Sequence, residues 1–193
     1  MAIAFLAAPL CVSAAAQVKG TCAAPFSVPL DNGSALSIEA RSSEVEIVGG
    51  DAGTVRVSCR LDRSDEAGDV QLSFSSSRNA SQLRVTGGPT NNVHVHIEVP
   101  QRTDLRLRML AGAVRVRQVT GNKDLELTAG EIRVSPVLPA DYSSVDATVR
   151  IGDLQVPSMG VNKGGFFRTV SKENAPGQYK LRAHITTGSI RLE

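Results

Sequence analysis

Hydrophobic and polar residues alternate along most of this chain. Leu36, Ile38 and Ala40 share one phase, followed by Val45 and Ile47, and then by Val55, Val57, Cys59 and Leu61. Val70, Leu72 and Phe74 come next, then Leu83 and Val85. The cleanest run is Val93, Val95, Ile97 and Val99, closed by Pro100, and Leu105, Leu107 and Met109 follow it. Leu125 and Leu127 continue the pattern, then Val145, Ala147, Val149 and Ile151, then Tyr179, Leu181, Ala183 and Ile185. Successive side chains of a strand point to opposite faces, so each run predicts a strand with one buried and one wet face. Helical spacing is nearly absent. The breaks carry turn residues: Asp31-Asn32-Gly33, Gly49-Gly50-Asp51, Gly87-Gly88-Pro89, Gly164-Gly165 and Pro176-Gly177. Residues 63–69 and 157–165 read as longer loops.

A second pattern lies on top of the alternation. The motif Gly-x-apolar-x-apolar begins at Gly112, Gly130, Gly152 and Gly188, with gaps of 18, 22 and 36 residues. The last gap is twice the first, as if one copy had degenerated. Repetition near this period predicts stacked units that share one core. Glycine before each short strand suits a coil that must turn a corner, because it reaches positive φ without steric cost. The inward pairs Val114/Val116, Ile132/Val134, Leu154/Val156 and Ile190/Leu192 would then stack coil upon coil. The expected fold is all-β, a β-solenoid or parallel β-helix-like stack of short strands. The alternative is an antiparallel β-sandwich with regular turns, which turn chemistry does not exclude.

Composition narrows the class. Of 193 residues, 41% are hydrophobic and only 4% aromatic, with no Trp. A core so poor in aromatics is built from Val, Leu, Ile and Ala. Stacking platforms for single-stranded nucleic acid need exposed aromatics, and a net charge of +2 is too mild for a nucleic-acid binder. Residues 2–12 are apolar and Ala14-Ala15-Ala16 offers a small-residue cleavage site, although no Lys or Arg precedes the apolar run. We therefore expect an export signal over residues 1–16, an N-terminal segment over 17–34 and a β domain over 35–193. No transmembrane segment is expected after cleavage. Cleavage would remove Cys11 and leave Cys22 and Cys59, an even count that suits an oxidising compartment. Cys59 is in phase with Val55 and Val57, and a Cys22–Cys59 disulfide is the favoured reading. Two buried thiols are the alternative.

Residues 93–193 resemble a family of bacterial envelope proteins named putative adhesins, related to the head domains of putative autotransporter adhesins. The resemblance rests on Val99-Pro100, then Thr103-Asp104-Leu105-Arg106-Leu107, the glycine copies, and a final Thr187-Gly188-Ser189-Ile190-Arg191-Leu192. Ser43-Glu44-Val45-Glu46-Ile47 before Gly49-Gly50-Asp51 resembles the opening of such domains. The resemblance implies an exported, all-β, solenoid-like module that is periplasmic, secreted or on the cell surface, and it brings no catalytic residues. Residues 157–175 interrupt the repeat, a departure from the most regular members.

Two constellations remain. His94, His96 and Glu98 share one strand face, and His-x-His can supply two metal ligands. Three such residues span about 13 Å at strand rise, so an exposed polar face is the simpler reading and no metal or other cofactor is expected. Arg115, Arg133, Gln155 and Arg191 are the outward central residues of the four glycine copies. In-register stacking would bring them about 4.8 Å apart into a ladder suited to an anionic polymer, with Glu131 and Asp153 near enough to neutralise it. No Gly-x-Ser-x-Gly elbow, P-loop or dinucleotide fingerprint occurs, and Asp141, Asp146 and Asp153 are too scattered for an acid–base pair. The expected function is a non-enzymatic, exported envelope module, an adhesin or interaction domain that presents rows of side chains to a polysaccharide or protein. The alternative is a carbohydrate-active β-helix enzyme.

Overall fold

The computed structural model describes residues 16–51, 53–61, 64–77, 80–89, 93–173 and 176–193. Apart from Ala16, the expected export signal lies outside the described residues, as does Cys11. The protein is all-β, with a 12-stranded mixed sheet that does not close. In chain order the strands are β1 (Ala16–Thr21), β2 (Phe26–Pro29), β3 (Ala35–Gly50), β4 (Thr54–Leu61), β5 (Val70–Ser76) and β6 (Ser81–Gly87). They continue as β7 (Val93–Pro100), β8 (Asp104–Arg117), β9 (Lys123–Ser135), β10 (Tyr142–Val156), β11 (Val161–Glu173) and β12 (Tyr179–Leu192).

Several runs that alternation separates are single strands. Leu36 to Ala40 and Val45 to Ile47 both belong to β3, which is 16 residues long. In β8 the buried positions are Leu105, Leu107 and Met109, and then Val114 and Val116. The phase of burial slips by one between them. The same slip separates Leu127 from Ile132, Val149 from Leu154, Ile185 from Ile190, and Ala40 from Val45. Each long strand therefore has a leading arm and a trailing arm joined at a kink, and both arms bury their apolar residues in one core. A fully buried Val or Leu contributes about 1.5–3 kcal/mol relative to exposure, so the slip places every arm's stabilising face inward.

The kink explains the glycines. Gly112, Gly130, Gly152 and Gly188 have φ of 123°, 131°, 133° and 136°. In the parallel ladder Gly112 stands opposite Gly130, Gly130 opposite Gly188, and Gly188 opposite Gly152. A Cβ on Gly130 would lie 1.8 Å from the Gly112 carbonyl oxygen, and one on Gly188 would lie 1.8 Å from that of Gly130. Ser43 takes the glycine position in β3. Among the described residues no strand faces it on the far side, since β6 pairs with residues 36–40 and β7 with 44–50.

The order of the stack differs from the order of the repeats. The sheet runs β3-β8-β9-β12-β10-β11, so the last strand in sequence is inserted between β9 and β10. Residues 157–165, expected to be a loop, form a short turn over Pro157–Met159 and the start of β11. β11 returns antiparallel to β10. The antiparallel β11 does not carry the glycine motif of the parallel strands, and its place between β10 and β12 in sequence widens the gap from Gly152 to Gly188.

Beyond β3 the stack divides. The leading arm continues through β6, β5 and β1, and the trailing arm through β7, β4 and β2. Cys22, just after β1, is bonded to Cys59 in β4, with Cα atoms 5.3 Å apart. The disulfide thus staples one branch to the other. Residues 17–34, expected to precede the β domain, hold β1 and β2 within the same sheet.

Candidate functional site

Two outward surfaces follow from the two arms. On the leading arms, charge alternates from strand to strand. Arg84, Glu39, Arg108, Glu126 and His184 are successive neighbours in one column. Arg106, Asp124, Arg182 and Asp146 form the next. Arg84 Nε donates to Glu39 at 2.9 Å, Arg108 pairs with Glu126, and Arg106 lies 3.6 Å from Asp124. Neighbouring strands are about 4.8 Å apart, so from Arg84 to Glu126 each arginine has a carboxylate, not another arginine, beside it.

The trailing arms differ. Because β12 lies between β9 and β10, Arg115, Arg133 and Arg191 are consecutive in one column, and Gln155 follows. The structure thus brings the three predicted arginines together more tightly than their sequence order suggests. Relief comes from carboxylates beside the column and from Gln155 at its end. Arg115 pairs with Glu44, Arg133 Nη2 donates to Glu131 at 2.9 Å, and Arg191 donates to Gln155 Oε1 at 2.9 and 2.6 Å. Glu193 lies 3.6 Å from Arg191. All three guanidinium groups remain partly exposed. The column can meet an anionic chain lying across the strands, in competition with its own carboxylates.

His94 and His96 continue this surface through β7. His94 Nδ1 lies 2.8 Å from Glu44 and His96 Nδ1 3.0 Å from Glu46, with Glu98 3.7 Å from the other nitrogen of His96. A shallow cleft of about 320 Å³ is lined by both histidines together with Arg60 and Arg115. Each histidine faces its own carboxylate across the strand pair, and no group of three metal-ligating side chains forms among the described residues. Asp141, Asp146 and Asp153 do not meet. Asp141 ends the turn before β10, while Asp146 and Asp153 occupy its two arms.

One buried polar pair was missed by the sequence reading. Lys123 is 2% exposed and stands in register between Leu105 and Leu181, in a column that Leu36 and Val145 continue on either side. Its Nζ donates to the Tyr142 hydroxyl at 2.6 Å and to the Gly121 carbonyl at 3.2 Å. Lys123 is in phase with Leu125 and Leu127, and that phase was the available signal. Burial pushes Lys123 down to about 8, against the smaller upward pull of Asp104 and Asp141. Burial also pushes Tyr142 up to about 12, with Asp141 and Tyr179 adding to it. A cleft of about 420 Å³ opens beside the pair, lined in part by Gly49, Gln118, Asp141, Tyr142 and Tyr179.

The sign of the pH effect follows from these values. Between about pH 8 and 10 the unfolded lysine keeps its proton while the folded one loses it, so stability rises with pH. The gain is about 2 kcal/mol. Above pH 10 the unfolded tyrosine ionises before the folded one, and stability falls again. Urea titrations across this range are expected to show the rise in the native protein. In Lys123→Leu/Tyr142→Phe the rise should be absent, and stability at pH 7 higher by on the order of 2 kcal/mol, because a desolvated charge is replaced by packing. A pH profile unchanged by the double substitution would refute the assignment.

No family model matches the chain, and neither does any curated protein. Among solved structures, it is similar to the crystal structure of a putative cell adhesion protein from Clostridium sporogenes ATCC 15579. The TM-score is 0.53 at 10% identity, covering 88% of this chain and 98% of the other. At that identity the likeness is one of fold. Among the described residues, no helix is long and apolar enough to cross a membrane.

Proposed function

We propose that this chain is an exported, non-enzymatic module of the cell envelope, a solenoid-like stack that presents the Arg115–Arg133–Arg191 column to an anionic envelope polymer. The observation that carries this reading is the like-charged column itself. The leading-arm columns alternate in sign, whereas the trailing-arm column keeps three arginines in succession. Like charges that close cost stability, and an external anion would recover that cost. The name of the similar solved structure fits an adhesive role. A carbohydrate-active enzyme would need carboxylates that converge on a groove. Here Glu39, Glu44, Glu126 and Glu131 each stand beside an arginine instead, which favours display over catalysis.

The test is a binding screen of the chain from Gln17 against envelope fractions and purified acidic polysaccharides, at low and high salt. Arg115→Ala/Arg133→Ala is expected to weaken polyanion binding about tenfold or more, the loss typical of hydrogen bonds from charged donors. Binding insensitive to salt and to these substitutions would overturn the assignment of the column. Failure to bind any polyanion would overturn the function itself.

A further inference from the structure

The β11 end of the stack carries a different surface. Phe166 and Phe167 are 67% and 72% exposed, whereas Phe26 and Phe74 are buried. Ile151, in register with Phe166, is 47% exposed. Exposed aromatics gathered in this way mark contact sites rather than core. The backbone holds them there. Gly165 has φ of 113° and Phe167 of 51°. The left-handed region is unfavourable for a bulky residue. The strand turns at this corner, and both rings stand out into solvent.

One cation touches a ring, and three more lie along the same strand. Arg150 lies over the Phe167 ring at 5.9 Å. Lys163, Arg168 and Lys172 stand opposite Leu154, Val149 and Val145, so they occupy what are core positions one strand further in. Lys163 Nζ donates to the Thr169 carbonyl at 3.4 Å and Arg168 Nε to that of Gly164 at 2.8 Å. None of the four has a carboxylate within ion-pairing distance among the described residues, in contrast to Arg84, Arg106, Arg108, Arg115, Arg117 and Arg133. Asp146 and Asp153 on β10, and Glu173 at the end of β11, are the acidic groups on these two strands nearest the corner.

We propose that this corner docks on an anionic lipid bilayer, with Phe166 and Phe167 entering the boundary between headgroups and acyl chains and the four cations contacting lipid phosphates. Edge protection accounts for cations on a terminal strand. It does not account for two vicinal phenylalanines held outward. Exposed apolar rings beside unpaired cations match the layered chemistry of a bilayer surface better than a polar polymer, which offers no apolar phase. Apolar insertion combined with unpaired basic charge is the chemistry of interfacial attachment.

The chain from Gln17 carries the whole described core and has no Trp, so Phe166→Trp gives a clean reporter. With vesicles of phosphatidylcholine and phosphatidylglycerol, its emission is expected to shift to the blue. A Val18→Trp reporter on β1, at the opposite end of the sheet, is expected not to shift. In cosedimentation with the same vesicles, Phe166→Ser/Phe167→Asn should bind at least about tenfold more weakly. Lys163→Ser should bind about fivefold more weakly. Arg115→Ala/Arg133→Ala should leave vesicle binding unchanged, which separates this surface from the arginine column. Asn is chosen at 167 because it tolerates positive φ, and the Trp reporter decides the matter should the double variant fold poorly. No sedimentation with anionic vesicles at low salt, or an unshifted Phe166→Trp, would overturn the proposal. So would a concentration-dependent dimer that buries the phenylalanines, or retention on acidic polysaccharide but not on vesicles.

Discussion

Gly130→Ala is expected to abolish the native fold or to cost more than about 4 kcal/mol, in the range reserved for the most disruptive substitutions. The added methyl would lie 1.8 Å from the Gly112 carbonyl oxygen, which is backbone and cannot swing away. The residue would also be held at φ of 131°, outside the range of an L side chain. Relief would require parting β8 from β9 at the kink, where the core phases of both arms are set. Gly33→Ala is the matched control. It too has positive φ, at 87°, but nothing lies within 4 Å of its would-be Cβ. Only the conformational term applies there, roughly 1–2 kcal/mol. Urea unfolding of both variants measures the difference. Equal effects would mean that backbone strain alone, without the stacking of strands, places the glycines.

Loss of the Cys22–Cys59 bond is the second large effect. The bond closes a loop of 37 residues in sequence separation, for which chain entropy gives a stabilisation of about 3–4 kcal/mol. Its position matters as much as its length. Above β3 the leading-arm branch and the trailing-arm branch share no strand, and the bond ties their outer parts together. Cys22→Ser/Cys59→Ser, or reduction of the native protein, should lower the unfolding midpoint accordingly. Protection from hydrogen exchange should fall in β1, β2 and β4 before it falls in β9 and β12. A uniform loss of protection would contradict the divided architecture.

The parity of the strands was legible because burial in a sheet enforces period two, and nearly every run from Leu36 to Ile185 is a strand in the expected phase. The glycine copies were legible as a motif that repeats. Their order in space was not. Alternation specifies which way a side chain faces, but the choice of neighbouring strand depends on contacts far apart in sequence, so the interposed β12 left no local mark. β11 was hidden for a related reason. Of its 13 residues only Val170 is buried, so it lacks the alternation that reveals its neighbours. Lys123 was overlooked because a charged residue in an apolar phase reads as an interruption, although here it keeps its phase and takes Tyr142 as partner. The arginine column was foreseen residue by residue, but its continuity depends on the strand insertion.

The place of β12 also bears on timing. A chain grows from its N-terminus, so β12 is made after both of the strands it joins, although it lies in the interior of the sheet. Until residues 179–192 emerge, β9 and β10 each present an unpaired edge, and the β10–β11 hairpin has no ladder joining it to the rest. Open edges of that length invite pairing with foreign strands. A chain cut before Tyr179 therefore holds two sticky margins where the intact sheet has a continuous ladder.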